Sequence, residues 1–360
     1  MTFENRYSRI DRLLHRLAFS GIQVQKSLAD LEDRLYAKRF ADVVIDRPLF
    51  ITSLPRAGTT LLLELLSGIE HFAAHTYRQM PFLLCPILWN SMSRPFQKHT
   101  VLRERAHGDG MQVGYDSVEA FEEILWHAFW PRKYTSDRII PWSAGDVDEH
   151  EEFEPFLRNH MRKLLALRPG SPRCRYVSKN NANIARVPTL ARLFPDGVIL
   201  IPFRNPIDHV GSMLRQHRNF SRIHAEDRFA ARYMLDIGHY DLGANLRPID
   251  FAGWLNGDPP ETTDTEDFWL RYWCEAFDHL LSLRVKNIVF VSYERCCGAP
   301  AKSLRRIAGA IGLEDPDSLA NLASRFRAPT GYSNADLALA PTLTARAGAL
   351  HDKLLQASIT

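Results

Sequence analysis

No stretch of this 360-residue chain is apolar for long enough to cross a bilayer. The N-terminus mixes Glu4, Arg6, Arg9, Asp11 and Arg12 with its apolar residues, so it lacks the unbroken apolar core of a secretory signal. Cysteine is scarce: Cys85, Cys174, Cys274, Cys296 and Cys297 are odd in number and form no CxxC pair. That pattern argues against a disulfide framework and a zinc site, and we expect reduced thiols in a cytoplasmic setting. Adjacent Cys296 and Cys297 read as small apolar filler at a helix start. The 14 histidines show no HExxH spacing, so no metal site is expected. A charge excess is missing too, since 45 Lys and Arg against 42 Asp and Glu leave +3. So slight a balance gives no reason to expect a nucleic-acid partner. The acidic run Asp146 to Glu152 reads as a solvated loop or helix start. There is no internal repeat.

What remains is a composition able to bury a large core: 45% of residues are hydrophobic and 24% charged, with a mean hydropathy of −0.24. We expect one domain. Apolar residues at helical spacing, Ile10, Leu13, Leu14 and Leu17, then Leu28, Leu31 and Leu35, predict two amphipathic helices before residue 40, packed on the outside of the main domain. Pro48 to Leu54 reads as a buried strand of a parallel sheet, Pro55 to Gly58 as a tight loop, and Thr59 onward as a leucine-rich helix. Gly197 to Phe203 followed by Ile207 to His217 repeats this plan, with Pro206 suited to a first helical turn. Two more strands are expected at Arg175 to Ser178 and Asn287 to Ser292. Such alternation implies an open parallel α/β sheet flanked by helices. Residues 78–172, rich in aromatics such as Phe121, Trp126, Phe129, Trp130, Tyr134 and Trp142, read as a helical cap or insertion. Leu246 to Thr265 reads as a long loop near the sheet's active edge, and 301–360 as C-terminal helices. The core then spans 48–77 and 173–300.

The chemistry concentrates in Ser53-Leu-Pro-Arg-Ala-Gly-Thr-Thr60. A loop between a strand and a helix N-terminus offers unpaired backbone N–H groups and the positive end of the helix dipole to an anion. Gly58 permits close approach, Thr59 and Thr60 add hydroxyls, and Arg56 adds permanent charge. The GxxxxGK[ST] spacing of nucleotide kinases is missing. After the second strand, where a magnesium-dependent enzyme would place a carboxylate, this chain has Arg204. Charge there is expected to be neutralised by side chains and not by a divalent ion.

SLPRAGTT with its leucine-rich helix, together with Arg204 and Ser212 in FRNPIDHVGSM, resembles the two nucleotide motifs of the sulfotransferases that use 3'-phosphoadenosine 5'-phosphosulfate (PAPS). The resemblance runs from about residue 48 to about 300, and Arg56 in place of lysine is similar to the bacterial and tyrosylprotein branch. It implies a P-loop-like fold and transfer of a sulfuryl group to a hydroxyl or amine, with 3',5'-ADP released. The acceptor would be a small molecule, glycan, lipid or peptide. Carried over by position, Arg56, Ala57, Gly58, Thr59 and Thr60 become the 5'-phosphosulfate cradle and Arg204 with Ser212 the clamp on the 3'-phosphate. Lys179 holds the place of a catalytic lysine, Tyr293 approaches the nucleotide, and Gln216 is a further candidate.

The acceptor must lose a proton, so a histidine or carboxylate is expected beside it. Asn181 stands where cytosolic relatives carry a histidine. His75 is the first choice by likeness to the tyrosylprotein branch, with Glu122, Glu123 and His127 as reserves. Two other readings stay open: a magnesium-dependent P-loop phosphotransferase, and a non-catalytic nucleotide-binding protein.

Overall fold

Short apolar runs, each followed by a helix-forming stretch, become strands and helices of one layered body in the computed structural model. The structure describes residues 9–93, 103–104, 112–114, 116–168, 174–256, 262–326 and 337–360. Helices α1 (Arg9–Ala18) and α2 (Ile22–Phe40) come first. Strand β1 (Leu49–Ile51) leads into α3 (Thr59–Ser67) and the two-residue β2 (Phe72–Ala73). Helix α4 (Pro86–Ser93), the antiparallel pair β3 (Arg103–Glu104) and β4 (Gln112–Val113), α5 (Glu123–Phe129) and α6 (Phe153–Leu167) occupy the stretch expected as a cap. Then follow β5 (Arg175–Lys179), α7 (Val187–Leu193), β6 (Val198–Phe203), α8 (Pro206–Glu226), α9 (Arg228–Asp236), α10 (Glu266–Ser282) and β7 (Ile288–Ser292). Helices α11 (Tyr293–Gly298), α12 (Pro300–Ala310), α13 (Pro316–Ala320) and α14 (Pro341–Ala357) close the chain.

Five strands form one parallel sheet in the order β2-β5-β1-β6-β7. Side chains alternate faces along a strand, and the core divides accordingly. Leu49, Ile51, Val177, Leu200 and Val291 face Leu62, Leu65 and Leu66 of α3 and Leu304, Ile307 and Leu319 of α12 and α13. Phe50, Tyr176, Ile199, Ile201 and Phe203 face a larger cluster built from α5 to α8, α10 and α14. Strand β1 lies between β5 and β6, so the chain leaves it first toward one edge and later returns on its other side. Ligands of open α/β sheets bind at the carboxyl ends of strands at such a switch.

The aromatic residues of 78–172 belong to the larger core. Trp126, Trp130 and Trp142 are almost wholly buried, and the Arg186 guanidinium lies 4.6 Å from the Trp126 ring and 4.3 Å from that of Trp142.

The N-terminal helices depart from expectation in which side they bury. Leu13, Leu17, Leu31 and Leu35 are 57%, 55%, 44% and 62% exposed, although their spacing marks them as the apolar face. Helix α2 instead turns Gln25, Ala29 and Glu32 inward. Gln25 donates to the Ala18 and Pro81 carbonyls and accepts from Leu84 N–H, while Glu32 meets Lys163 of α6 at 2.8 Å. These partners come from elsewhere in the chain, so periodicity alone could not locate the buried face.

Candidate functional site

The residues expected to meet the donor stand at or beyond the carboxyl ends of β1, β5, β6 and β7, and His75 follows β2, whereas Glu122, Glu123 and His127 lie at or on α5. After β1 the chain turns through Pro55 to Gly58 with Arg56 at φ +73° and Gly58 at φ +96°. Left-handed backbone costs a non-glycine residue roughly 1–2 kcal/mol, so the loop holds Arg56 against its local preference. Helix α3 then begins with no side chain capping it. Its first N–H groups are therefore left for an anion. His209 of α8 pins this loop, with Nε2 donating to the Pro55 carbonyl at 2.9 Å. Burial, then the charges of Arg204 and Arg56, lower the His209 pKa to about 3, so its ring stays neutral.

The residues expected to grip the nucleotide lie together. Arg56 Nε donates to Ser212 Oγ at 3.5 Å, and Arg204 Nη1 donates to the Arg56 carbonyl at 3.3 Å. Arg204 Nε is buried and makes no hydrogen bond, though the Glu294 carboxylate stands 3.9 Å away. The Arg204 guanidinium lies over the Tyr293 ring at 5.3 Å. Tyr293 in turn covers Gly58, where an added Cβ would meet its Cδ2 at 2.7 Å. Gly58 is thus required both by its backbone and by that contact. Asn205 caps α8 by accepting from Ile207 and Asp208 N–H, so that helix contributes Ser212 and not an open N-terminus. A buried guanidinium nitrogen that makes no hydrogen bond, beside an uncapped helix start, suits a ligand with two separated phosphate groups.

Two adjoining cavities open from this edge. One is lined by Arg56, Thr59, Thr60, Glu119 and Phe220, and the other by Ser53, Ala120, Ile139, Tyr240, Arg247 and Tyr272. Pro55, Lys179, Asn181, His239 and Asp241 line both. Lys179, paired in register with Ile51, thus stands at the junction. Thr59 uses its hydroxyl to donate to Asn181 Oδ1 at 3.2 Å, and Asn181 Nδ2 donates to Asp241 at 2.9 Å. The Thr59 hydroxyl proton is committed to Asn181; its backbone N–H is what the helix start offers.

The residues considered for the base lie elsewhere or are engaged. His75 is buried with its Nε2 2.7 Å from that of His160, and lines neither cavity. Burial lowers its pKa to about 3. A proton acceptor must reach the acceptor molecule, and His75 is placed away from both cavities. Glu122 accepts from Tyr176, Asn183 and Trp126 inside the core. Glu123 borders a cavity, yet both its oxygens are held by Arg186 at 2.9 and 2.8 Å, with Tyr134 and Asn180 added. His127 packs on Tyr134 and Tyr240 and borders neither cavity. Gln216 accepts from Asn219 on α8.

His239 and Asp241 escaped sequence reasoning, because they follow a helix and not a strand and match no motif. Gly238-His-Tyr-Asp241 between two helical stretches was the available signal: a glycine ending a helix next to two ionisable residues.

Among the described residues no group of three His, Cys, Asp or Glu side chains is placed to hold a metal ion, and no helix is long and apolar enough to cross a membrane. A family model described as the sulfotransferase family matches residues 48–240. The fold is similar to that of a solved sulfotransferase, STF9 from Mycobacterium avium, at 15% identity and a TM-score of 0.53, over 97% of this chain and 87% of that one. STF1 from Mycobacterium tuberculosis is 16% identical over 95% of this chain and 87% of its own, with a TM-score of 0.49. No curated protein matches the sequence.

Proposed function

Since the chain belongs to the sulfotransferase family, we propose that it moves a sulfuryl group from PAPS to a hydroxyl or amine and releases 3',5'-ADP, with no divalent ion taking part. One observation carries the reading: Arg56, Arg204 and Ser212 meet beside the uncapped start of α3, with Tyr293 closed over Gly58. The N–H groups of Thr59 and Thr60 and the Arg56 guanidinium would hold the 5'-phosphosulfate. Arg204 and Ser212 would hold the 3'-phosphate, the group that separates this donor from ATP.

The bound donor supplies an activated sulfuryl group on a phosphate leaving group. The chain's own residues then have two tasks. Fixed cations and N–H donors stabilise the charge that grows on the departing phosphate oxygen, which by analogy with phosphoryl transfer is the largest expected catalytic contribution. Arg56 and Lys179 take that task. The walls around the second cavity, Ile139, Tyr240, Ile249 and Tyr272, orient the acceptor and limit water. Arg204 at the end of β6 occupies the place where a metal-dependent relative would need a carboxylate, which supports the metal-free reading.

Calorimetry tests the assignment. The protein should bind 3',5'-ADP without magnesium and more tightly than Mg-ATP. Arg204→Ala should weaken 3',5'-ADP by about 10- to 100-fold, the loss of one charge-assisted contact, and leave 5'-AMP nearly unaffected. Equal losses for both nucleotides would remove Arg204 from the 3'-phosphate. Transfer of labelled sulfate from PAPS across phenols, sugars, lipids and peptides would then identify the acceptor.

A further inference from the structure

We propose that His239 is the catalytic base, taking the acceptor's proton on Nδ1 while Nε2 stays hydrogen-bonded to the Ala120 carbonyl. The assignment rests on the sulfotransferase reading above and names the group that reading leaves open.

Position is the first argument. Among the described residues, His239 is the histidine that borders both cavities, and it does so beside Lys179. An acceptor reaching from the second cavity toward a donor held at Arg56 and Thr60 has to pass this junction.

The backbone there is fixed. Helix α9 ends in a paired motif in which Gly238 N–H donates to the Leu235 carbonyl at 3.1 Å and His239 N–H to that of Met234 at 2.9 Å. Gly238 takes the left-handed conformation this motif requires, at φ +79°. A Cβ on it would come within 2.7 Å of Glu123 Cγ. The turn is therefore packed directly on the start of α5, which is itself locked by the Glu123–Arg186 pair. A base must be held to well under an ångström to work, and this loop supplies such support.

The tautomer follows from the hydrogen bond. Nε2 lies 3.3 Å from the Ala120 oxygen, which can only accept, so Nε2 carries the hydrogen. Nδ1 makes no hydrogen bond with any described residue and keeps its lone pair. The ring must also be neutral before the reaction. Burial lowers its pKa, Lys179 on β5 lowers it further, and Glu119 ahead of α5 together with Asp241 in the same loop raises it. The net shift is downward, so the ring is uncharged at neutral pH. In the transfer, the acceptor oxygen bonds to sulfur as its proton moves to Nδ1. The sulfur–oxygen bond to the nucleotide phosphate breaks, its electron pair leaves on 3',5'-ADP, and the imidazolium later returns the proton to water.

His239→Gln tests this, because the glutamine amide can still donate to Ala120 but cannot accept the proton. It should bind 3',5'-ADP as the unchanged protein does. Labelled transfer from PAPS to phenol should fall on the order of 10²–10⁴-fold. Transfer to 4-nitrophenol, whose proton leaves far more easily, should fall much less, and imidazole should restore part of the phenol rate to His239→Ala. A loss equal for both phenols and indifferent to imidazole would overturn the proposal. Independently of any acceptor, nitrogen-15 NMR of the histidine rings should find His239 neutral at pH 7 with its hydrogen on Nε2, titrating below the ordinary histidine range. A ring charged at pH 7, or protonated at Nδ1, would equally overturn it. Failure of 3',5'-ADP to bind the unchanged protein would instead count against the sulfotransferase reading itself.

Discussion

At the scale of single residues, His75, His160 and His209 are among the histidines buried in the neutral form, each with its pKa lowered chiefly by burial. Unfolded, each would titrate near 6.5. Below that pH the unfolded chain binds protons that the folded one refuses, so folding free energy declines as pH falls from about 6.5 toward about 3, the lowered value of His75 and His209. Above 6.5 the three contribute no pH dependence. Each adds a slope of up to about 1.4 kcal/mol per pH unit. Urea unfolding at pH 7, 6 and 5 should therefore show steadily lower stability. His209→Gln, which can still donate to Pro55, should reduce the slope by about one proton; an unchanged slope would mean that His209 is already charged in the folded protein. The same scale shows what a sequence can and cannot reveal. That Arg56, Arg204 and Ser212 meet is legible because a strand, a tight loop and a helix in succession fix where such residues must stand. The burial of His75 is not legible, because likeness along the chain says nothing of His160, 85 residues on, which hydrogen-bonds to it.

At the scale of elements, α2 shows why a correct helix can be given the wrong buried face. Its presence is legible from the spacing of leucines, but the side it buries is decided by Lys163 on α6. Glu32 and Lys163 are both almost wholly buried and lie 2.8 Å apart, and burial raises the Glu32 pKa even though Lys163 opposes that shift. Removing one partner of a buried pair leaves an uncompensated charge, at a cost of about 3–5 kcal/mol. Because Lys163 also pairs with the Asp33 carboxylate, Glu32→Met should lower stability in urea unfolding by less than that amount. Adding Lys163→Met should recover most of it, because two apolar side chains replace such a pair with little loss. No recovery in the double variant would place the effect in packing and not in charge. Helix α5 gives the converse lesson. Glu122 and Glu123 read from the sequence as reserve candidates for the base, but their work as partners of Tyr176 and Arg186 depends on strands and helices that follow more than fifty residues later.

At the scale of the whole molecule, the parallel sheet gathers loops from distant parts of the chain onto one edge, and Asn181 ties two of them. Thr59 of the anion loop donates to its side-chain oxygen, and its amide donates to Asp241, two residues beyond His239. Hydrogen exchange should then slow in residues 237–242 when 3',5'-ADP binds, although the assigned nucleotide contacts lie elsewhere. Asn181→Ala should abolish that protection while leaving the protection at residues 56–61; protection unchanged at both places would show that the link carries nothing. Coupling of this kind is reciprocal, so an occupant on either side strengthens the hold on the other by the same factor. A nucleotide that steadies Thr59 would thus also steady the turn where the second reactant is received, and a second reactant arriving before it would prepare the anion loop to the same degree.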